Sequence, residues 1–246
     1  MEKSRAIPAS AITRRSLVKS AAVAGTALAI PNLLAQSKPA STRILVGNGT
    51  QDGVLSFAWD EATGTLTPQG VAAKIGHSTW LDYSPDRRYL YVASEVDQFQ
   101  GQPSGAVGSF APAGGRFSPI SLVASHGGGT CHLAIDKTGR VVVCANYSGG
   151  SASSFLPKDG KLGEAVWTEH YKGTGTGPVA DRQEAAHAHF ASFSPNNQYA
   201  YINDLGADKI HIYKLDTDTG VLAPAGAYNA KPGDGPRTLQ IGRAHV

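Results

Sequence analysis

The chain repeats itself at intervals of 52 and 58 residues, and this repeat constrains the fold more than any other feature. Three segments align without gaps: WLDYSPDRRYLYVASE from Trp80, HLAIDKTGRVVVCANY from His132 and FASFSPNNQYAYINDL from Phe190. Each segment alternates between apolar and polar residues, turns at Pro, Asp, Asn or Gly, and then alternates again. The pattern is typical of a β-hairpin.

A second hairpin pattern stands between the aligned segments. It reads VLSFAWDEATGTL, AVGSFAPAGGRF, SASSFLPKDGKL and KIHIYKLDTDTGVL along the chain. Two hairpins per repeat make a unit of four strands, and such units at this spacing predict an all-β fold, the β-propeller. A β-sandwich of unrelated hairpins is the alternative, and the gapless alignment of three copies disfavours it.

Propeller geometry predicts which residues meet. The innermost strand of each blade lines a central channel, and we call the end where these strands start the channel mouth. In the aligned repeats the starts are Thr79-Trp80, Cys131-His132, His189-Phe190 and Arg237-Thr238, where a further strand is expected to begin. His132, His189 and Arg237 should therefore converge. His187 should share a strand face with His189, because side chains along a strand alternate with a period of two.

Both ends of the chain are expected to lie outside the propeller. Arg14 and Arg15 precede a short apolar run, which predicts a twin-arginine signal peptide over residues 1–35. The protein should then meet the Tat export machinery and act in the periplasm or beyond the cell. The run is too short for a transmembrane helix, so no stable membrane anchor is expected. The last six residues, 241–246, read IGRAHV and are expected to be a non-native tail, which leaves 36–240 as a partial propeller.

Charge and cysteine content exclude two further classes of protein. Charged residues make up 17% of the chain and show no basic cluster with interleaved aromatic residues, so no nucleic-acid partner is expected. Two cysteines cannot form a disulfide scaffold. A hairpin turning at 136–139 would place Cys131 directly opposite Cys144. They can form a disulfide there in an oxidising compartment, or remain buried free thiols. The strain of a disulfide between directly opposite residues favours the free thiols.

The motifs also resemble those of a known family. GTCHLAIDKTGRVVVCANYSGG, the RQEAAHAH run, DLGADKI and GDGPR together resemble the lactonase family of seven-bladed β-propellers, which includes propeller-type 6-phosphogluconolactonases and carboxy-muconate cyclases. The resemblance implies hydrolysis or formation of a lactone of an acidic sugar or dicarboxylate, with a small-molecule lactone as substrate. It implies a site at the channel mouth made of Glu95, His132, Arg182, His187, His189, Asp204 and Arg237.

The chain departs from the family pattern in two ways. The family commonly has a histidine where this chain has Thr238, next to the expected non-native tail. Seven blades of about fifty residues need about 350 residues, whereas 36–240 supplies four blades and part of a fifth. We therefore expect a fragment that is inactive and prone to aggregate, because it exposes open blade edges.

The chemistry of these residue types suggests their roles. Histidine suits a general base, because its pKa lies near neutral pH, and we expect His189 to be that base, oriented by His187 or Glu95. Arginine suits a carboxylate, a phosphate or an oxyanion, so Arg182 and Arg237 are expected to bind substrate, together with Asp204. His132 is a candidate proton donor to the ring oxygen or a second acid–base group.

Simpler interpretations exist for several of these residues. Asp204 can cap a turn, Glu95 can be solvated, and Arg182 can stabilise its long loop. His187 and His189 could bind a metal if His132, Glu95 or Asp204 supplied a third ligand. The family resemblance implies no metal and no cofactor. The alternative function is a non-catalytic propeller that binds a ligand or a partner protein in the periplasm.

Overall fold

The computed structural model describes residues 42–174, 177 and 179–242. The described residues form fifteen strands and one short 3-10 helix, Ala180–Arg182. The strands are β1 (Thr42–Val46), β2 (Val54–Asp60), β3 (Thr65–Ala73), β4 (Ser78–Tyr83), β5 (Leu90–Ser94), β6 (Ala106–Ala113), β7 (Arg116–Ala124), β8 (Thr130–Ile135), β9 (Val142–Asn146), β10 (Ser151–Phe155), β11 (Trp167–His170), β12 (Ala188–Phe193), β13 (Tyr199–Asp204), β14 (Lys209–Leu215) and β15 (Leu222–Asn229). In this part of the chain no helix is long and apolar enough to cross a bilayer. The predicted signal peptide and the residues after 242 lie outside the described residues.

The strands form four antiparallel sheets in chain order. Three sheets have four strands each: β4 to β7, β8 to β11 and β12 to β15, so the predicted units of two hairpins are confirmed. The remaining sheet has three strands, β1, β2 and β3, and β1 pairs only with β2 among the described residues. The outer strand β3 of this sheet packs against the outer strand β7 of the next, as between neighbouring blades.

The core lies between consecutive sheets, and the period of two along each strand explains it. Leu90 and Val92 of β5 pack against the first sheet, whereas Tyr91 and Ala93, which alternate with them, pack against the third. In β9, Val142 and Cys144 face the second sheet, and Val143 and Ala145 face the fourth. All residues of β5, β9 and β10 are buried, because each of these strands is covered on both faces.

The inner strands β4, β8 and β12 run side by side, with β8 between the other two. Each carries a β-bulge one residue after its start, at Thr79, Cys131 and His189. The bulges fall at equivalent positions of the aligned repeats. A bulge adds one residue to one strand and re-aims its side chain. The bulge recurs once in each of the three four-stranded sheets.

Two expectations about strand pairing are wrong. Cys131 does not lie opposite Cys144, because the bulge at Cys131 shifts the register so that Leu133 pairs with Cys144. Both cysteines are free thiols. The strand expected to begin at Thr238 is also not formed, since no strand occurs in residues 230–242. A strand needs a hydrogen-bonded neighbour, and none runs beside this segment within the described residues.

Candidate active site at the channel mouth

The three bulged residues connect neighbouring inner strands. The Thr79 hydroxyl donates to the Thr130 carbonyl oxygen at 3.4 Å, and the Cys131 thiol donates to the His189 carbonyl oxygen at 3.4 Å. Burial raises the pKa of the Cys131 thiol to about 12, which excludes it as a thiolate nucleophile near neutral pH. The side chains of Thr79 and Cys131 thus each bond to the backbone of the neighbouring inner strand.

His132 lies one residue further along β8, inside a stack of aromatic rings. Its ring centroid is 4.1 Å from that of Trp80 and 4.0 Å from that of Phe190. Its Nδ1 accepts the Ala191 N–H at 3.3 Å, so the neutral ring carries its proton on Nε2. Nε2 is buried and has no partner. Burial first, and the charge of His189 second, lower the pKa of His132 to about 3.

His189 is the second histidine of the candidate site. The residue is half-buried, and its Nδ1 has no hydrogen-bond partner. Burial first, and the positive charge of Arg237 second, lower the pKa of His189 to about 4. The ring is therefore neutral at neutral pH and can accept a proton. The ring of Tyr147 meets it edge-on, with centroids 5.8 Å apart.

His187 is held on every side by contacts within the chain. Its ring stacks on Tyr147 at 4.3 Å, its Nδ1 donates to the Tyr147 carbonyl oxygen at 3.0 Å, and its Nε2 lies 3.2 Å from Glu184 Oε1. Both ring nitrogens are therefore engaged. His187 does not contact His189 through either nitrogen, and the Tyr147 ring touches both histidines. The expected orienting role of His187 would thus act through Tyr147.

Asp204 lies behind His187 and is fully buried. Its Oδ1 accepts the backbone N–H groups of His187 at 2.8 Å and Ala207 at 3.0 Å, and its Oδ2 lies 3.4 Å from His211 Nε2. These contacts are those of a residue that caps the turn after β13 and holds the His187 backbone. A direct contact between Asp204 and substrate stays a prediction.

The two arginines line one pocket. Arg182 Nη1 donates to the Tyr147 hydroxyl at 3.2 Å, and its guanidinium lies 5.9 Å from the centre of that ring. Arg182, Arg237, Val179, Gln183, Leu205 and two glycines surround a space of about 250 Å³. The charges of both arginines lower the pKa of His189, which places the three residues in one electrostatic environment.

Glu95 follows β5 at the repeat position that Tyr147 occupies after β9 and Leu205 after β13. The residue is exposed, yet partial burial of its carboxylate raises its pKa, against the opposing effects of the Thr79 hydroxyl and of Arg237. Glu95 is thus close to the channel mouth on the β4 side. The structure shows no hydrogen bond between Glu95 and His189.

Sequence reasoning missed Tyr147, Gln183, Glu184 and Asp208 as members of the site. Tyr147 shares its repeat position with Glu95, and that alignment was the signal that could have identified it. The other three act through hydrogen bonds that only the folded loops create. Within the described ranges, no group of three or more His, Cys, Asp or Glu side chains lies close enough together to hold a metal ion.

The arrangement combines a neutral imidazole that can accept a proton, two guanidinium groups and a nearby carboxylate. The imidazole can activate a water molecule. The guanidinium groups can bind an acidic substrate and stabilise negative charge that develops at a carbonyl oxygen. Such a set fits hydrolysis of an ester or lactone that carries an acid group.

Comparison with known proteins identifies the family of the chain. The family model described as "Lactonase, 7-bladed beta-propeller" matches residues 43–244. A 6-phosphogluconolactonase of Bacillus subtilis (strain 168) is 33% identical over 192 residues, which cover 78% of this chain and 53% of that protein. The 6-phosphogluconolactonase of Formosa agariphila is 32% identical over 191 residues, with 75% and 53% covered.

Among solved structures, the periplasmic gluconolactonase of Pseudomonas aeruginosa is similar with a TM-score of 0.72 at 30% identity. The match covers 80% of this chain and 57% of that one. The chain spans about half the length of the curated relatives that it matches. The repeat, the four sheets and the family match over residues 43–244 show that the chain belongs to the lactonase family of seven-bladed β-propellers.

Proposed function

We propose that this chain supplies the channel-mouth site of an enzyme that hydrolyses, or in the reverse direction forms, the lactone of an acidic sugar or dicarboxylate. One observation carries the proposal: His189 presents a buried Nδ1 without a partner beside two arginines. An unpaired buried nitrogen is costly, and a water molecule or a substrate oxygen would satisfy it.

In the proposed reaction His189 accepts a proton from water while the water oxygen attacks the lactone carbonyl. Negative charge then develops on the carbonyl oxygen, and Arg237 or Arg182 stabilises it while the other arginine binds the acid group of the substrate. The bond from the carbonyl carbon to the ring oxygen breaks, and the protonated His189 gives its proton to that oxygen. The product is the hydroxy acid, and the reverse sequence closes the ring.

Within this scheme the other candidate residues have supporting roles. Tyr147 and His187 keep Arg182 and His189 in place, and Glu95 extends the polar rim near Arg237. His132, enclosed between Trp80 and Phe190, has a buried Nε2–H without a partner among the described residues. That donor could bind the ring oxygen of a substrate that enters past His189.

We further propose that the reaction takes place in the periplasm. The predicted twin-arginine signal peptide supports this location, and one similar protein of known structure is named a periplasmic gluconolactonase. The names of the curated relatives make 6-phosphogluconolactone one substrate to test, although a phosphorylated sugar is not expected outside the cytoplasm. A non-phosphorylated sugar-acid lactone fits the same pair of arginines.

The test uses protein expressed from the complete reading frame of the gene. Acid release from a panel of lactones is followed for the wild type, for His189→Gln and for a control, His170→Gln, which changes an exposed histidine at the end of β11. We expect His189→Gln to lose at least about a hundredfold in kcat/KM and the control to match the wild type. Equal rates for His189→Gln and wild type would refute the catalytic assignment.

Two further outcomes decide between this proposal and its alternative. Binding of a lactone or its acid without any turnover would instead establish a non-catalytic propeller. The 246-residue chain expressed by itself is expected to be inactive and to self-associate, because β1 leaves one backbone edge unpaired among the described residues. A monodisperse, active 246-residue product would contradict that expectation.

A further inference from the structure

A carboxylate from a neighbouring turn holds the segment that leads to Arg237. Asp208 lies between β13 and β14 and is 7% exposed. Its Oδ2 accepts the N–H of Gly233 and its Oδ1 accepts the N–H of Gly235, both at 2.8 Å. The two glycines have φ angles of 88° and 51°, which suit glycine and let both amides point at one anion. Hydrogen bonds to a carboxylate are charge-assisted and stronger than neutral ones.

The same carboxylate also holds the loop that carries Arg182. Gln183 Nε2 donates to Asp208 Oδ1 at 2.8 Å and to the Leu205 carbonyl oxygen at 3.1 Å. Gln183 Oε1 accepts the N–H of Gly177 at 2.6 Å. Gln183 is 6% exposed, and its amide has partners on both its donor and its acceptor side. Its orientation toward Asp208 is therefore determined.

The two segments that Asp208 joins each carry one arginine of the site. Arg182 directly precedes Gln183, and Arg237 follows Gly235 by two residues. Both arginines line the same pocket, together with Gln183 and Gly235. One buried carboxylate, that of Asp208, thus bonds to both of the segments that carry these arginines.

We propose that Asp208 is a positioning residue that sets the spacing of Arg182 and Arg237 and thereby the affinity for an acidic substrate. The inference rests on the proposed function only in that one of the two arginines binds the acid group of the substrate while the other stabilises the carbonyl oxygen. Asp208 itself touches no substrate in this scheme. Asp208 acts on Arg237 through the N–H groups of Gly233 and Gly235. It acts on the Arg182 loop through its contact with Gln183.

The test replaces one oxygen of Asp208. In Asp208→Asn the side chain keeps its size, but one acceptor oxygen becomes an NH₂ group, which cannot accept from a glycine or glutamine N–H. We expect the Kd for 6-phosphogluconate, measured by titration calorimetry on protein from the complete reading frame, to rise about tenfold or more. KM for an acidic lactone should rise similarly, and kcat should fall as well, because one of the two arginines stabilises the carbonyl oxygen in the proposed reaction.

Two companion variants separate positioning from general damage. In an Arg237→Gln background, adding Asp208→Asn should raise Kd by a smaller factor than it does in the wild type, because one of the two groups that it positions is gone. The matched control is Asp136→Asn, at the far end of β8 from the channel mouth. Asp136 is fully buried and also accepts several backbone N–H groups, those of Thr138, Arg140 and Val141. This control should lose stability and keep the wild-type Kd.

The outcomes are distinct. An unchanged Kd and KM in Asp208→Asn, or an undiminished effect in the Arg237→Gln background, would overturn the inference, as would a wild type that binds no 6-phosphogluconate. A wild type that binds the anion with the expected dependence on Asp208, yet hydrolyses no lactone, would leave the inference standing and refute the proposed function. If Asp208→Asn cannot be purified, Gln183→Met takes its place: it breaks the same link from the Arg182 side and should also raise Kd.

Discussion

Lowering the pH from 7 to 4.5 should destabilise the fold through His132 more than through an ordinary histidine. The imidazole is 4% exposed and lies between the rings of Trp80 and Phe190, with no acidic side chain bonded to it. Protonation would place a charge in that stack. Burial accordingly lowers the pKa of His132 from its ordinary value of 6.5 to about 3.

The sign and size of the effect follow from proton linkage. Between pH 6.5 and about pH 3 the unfolded chain binds this proton and the folded chain does not, so stability is complete above 6.5 and falls as the pH decreases. Each pH unit in that window costs about 1.4 kcal/mol. Since pH 4.5 lies two units below 6.5, His132 alone should remove about 2 to 3 kcal/mol from the free energy of unfolding.

The measurement compares urea unfolding of wild type and His132→Asn at pH 7 and pH 4.5, followed by circular dichroism. Asparagine removes the titration and can still accept the Ala191 N–H with its side-chain oxygen. The variant should lose about 2 to 3 kcal/mol less than the wild type over this pH range. His170→Asn, at an exposed position, should behave as the wild type. Equal pH dependence of wild type and His132→Asn would refute the assignment of a buried neutral His132.

Three other predictions follow from the site. Tyr147→Phe keeps the ring against His187 but removes the hydroxyl that accepts a hydrogen bond from Arg182. KM for an acidic lactone should therefore rise about three- to tenfold with little change in kcat. An unchanged KM would argue against a role for that contact. The pH profile of kcat/KM should rise through about pH 4, where His189 becomes neutral, and Arg237→Gln should move this limb to higher pH because a positive charge that lowers the pKa is removed; an unmoved limb would exclude His189 as the group observed. Gly206→Ala places a methyl group against the Ala185 carbonyl oxygen, beside the backbone of His187. The free energy of unfolding should fall by about 1 to 3 kcal/mol, and activity should fall with it. Gly163→Ala meets no atom within 4 Å and should change neither stability nor activity.

The fold could be predicted from sequence because its signals are local and repeated. Alternating strands and turn residues define hairpins within about twenty residues, and the copies starting at Trp80, His132 and Phe190 show how the hairpins group. The same alignment places Thr79, Cys131 and His189 at equivalent positions, where the structure shows a bulge in each of the three sheets. The bulge itself was not predictable, because one extra residue leaves the hydrophobic pattern nearly intact while it shifts the pairing. The expectation that Cys131 lies directly opposite Cys144 was wrong for that reason.

The sequence by itself determined that His132 and His189 lie at the same end of their inner strands, because repeat position sets the height of a residue in a blade. Only the tertiary structure decided how each side chain is used. His132 is enclosed by rings from β4 and β12. The two ring nitrogens of His187 contact Tyr147 and Glu184. Burial and hydrogen-bond partners depend on loops that approach from different sheets. No spacing along the chain encodes these approaches, and they leave His189 Nδ1 buried without a hydrogen-bond partner among the described residues.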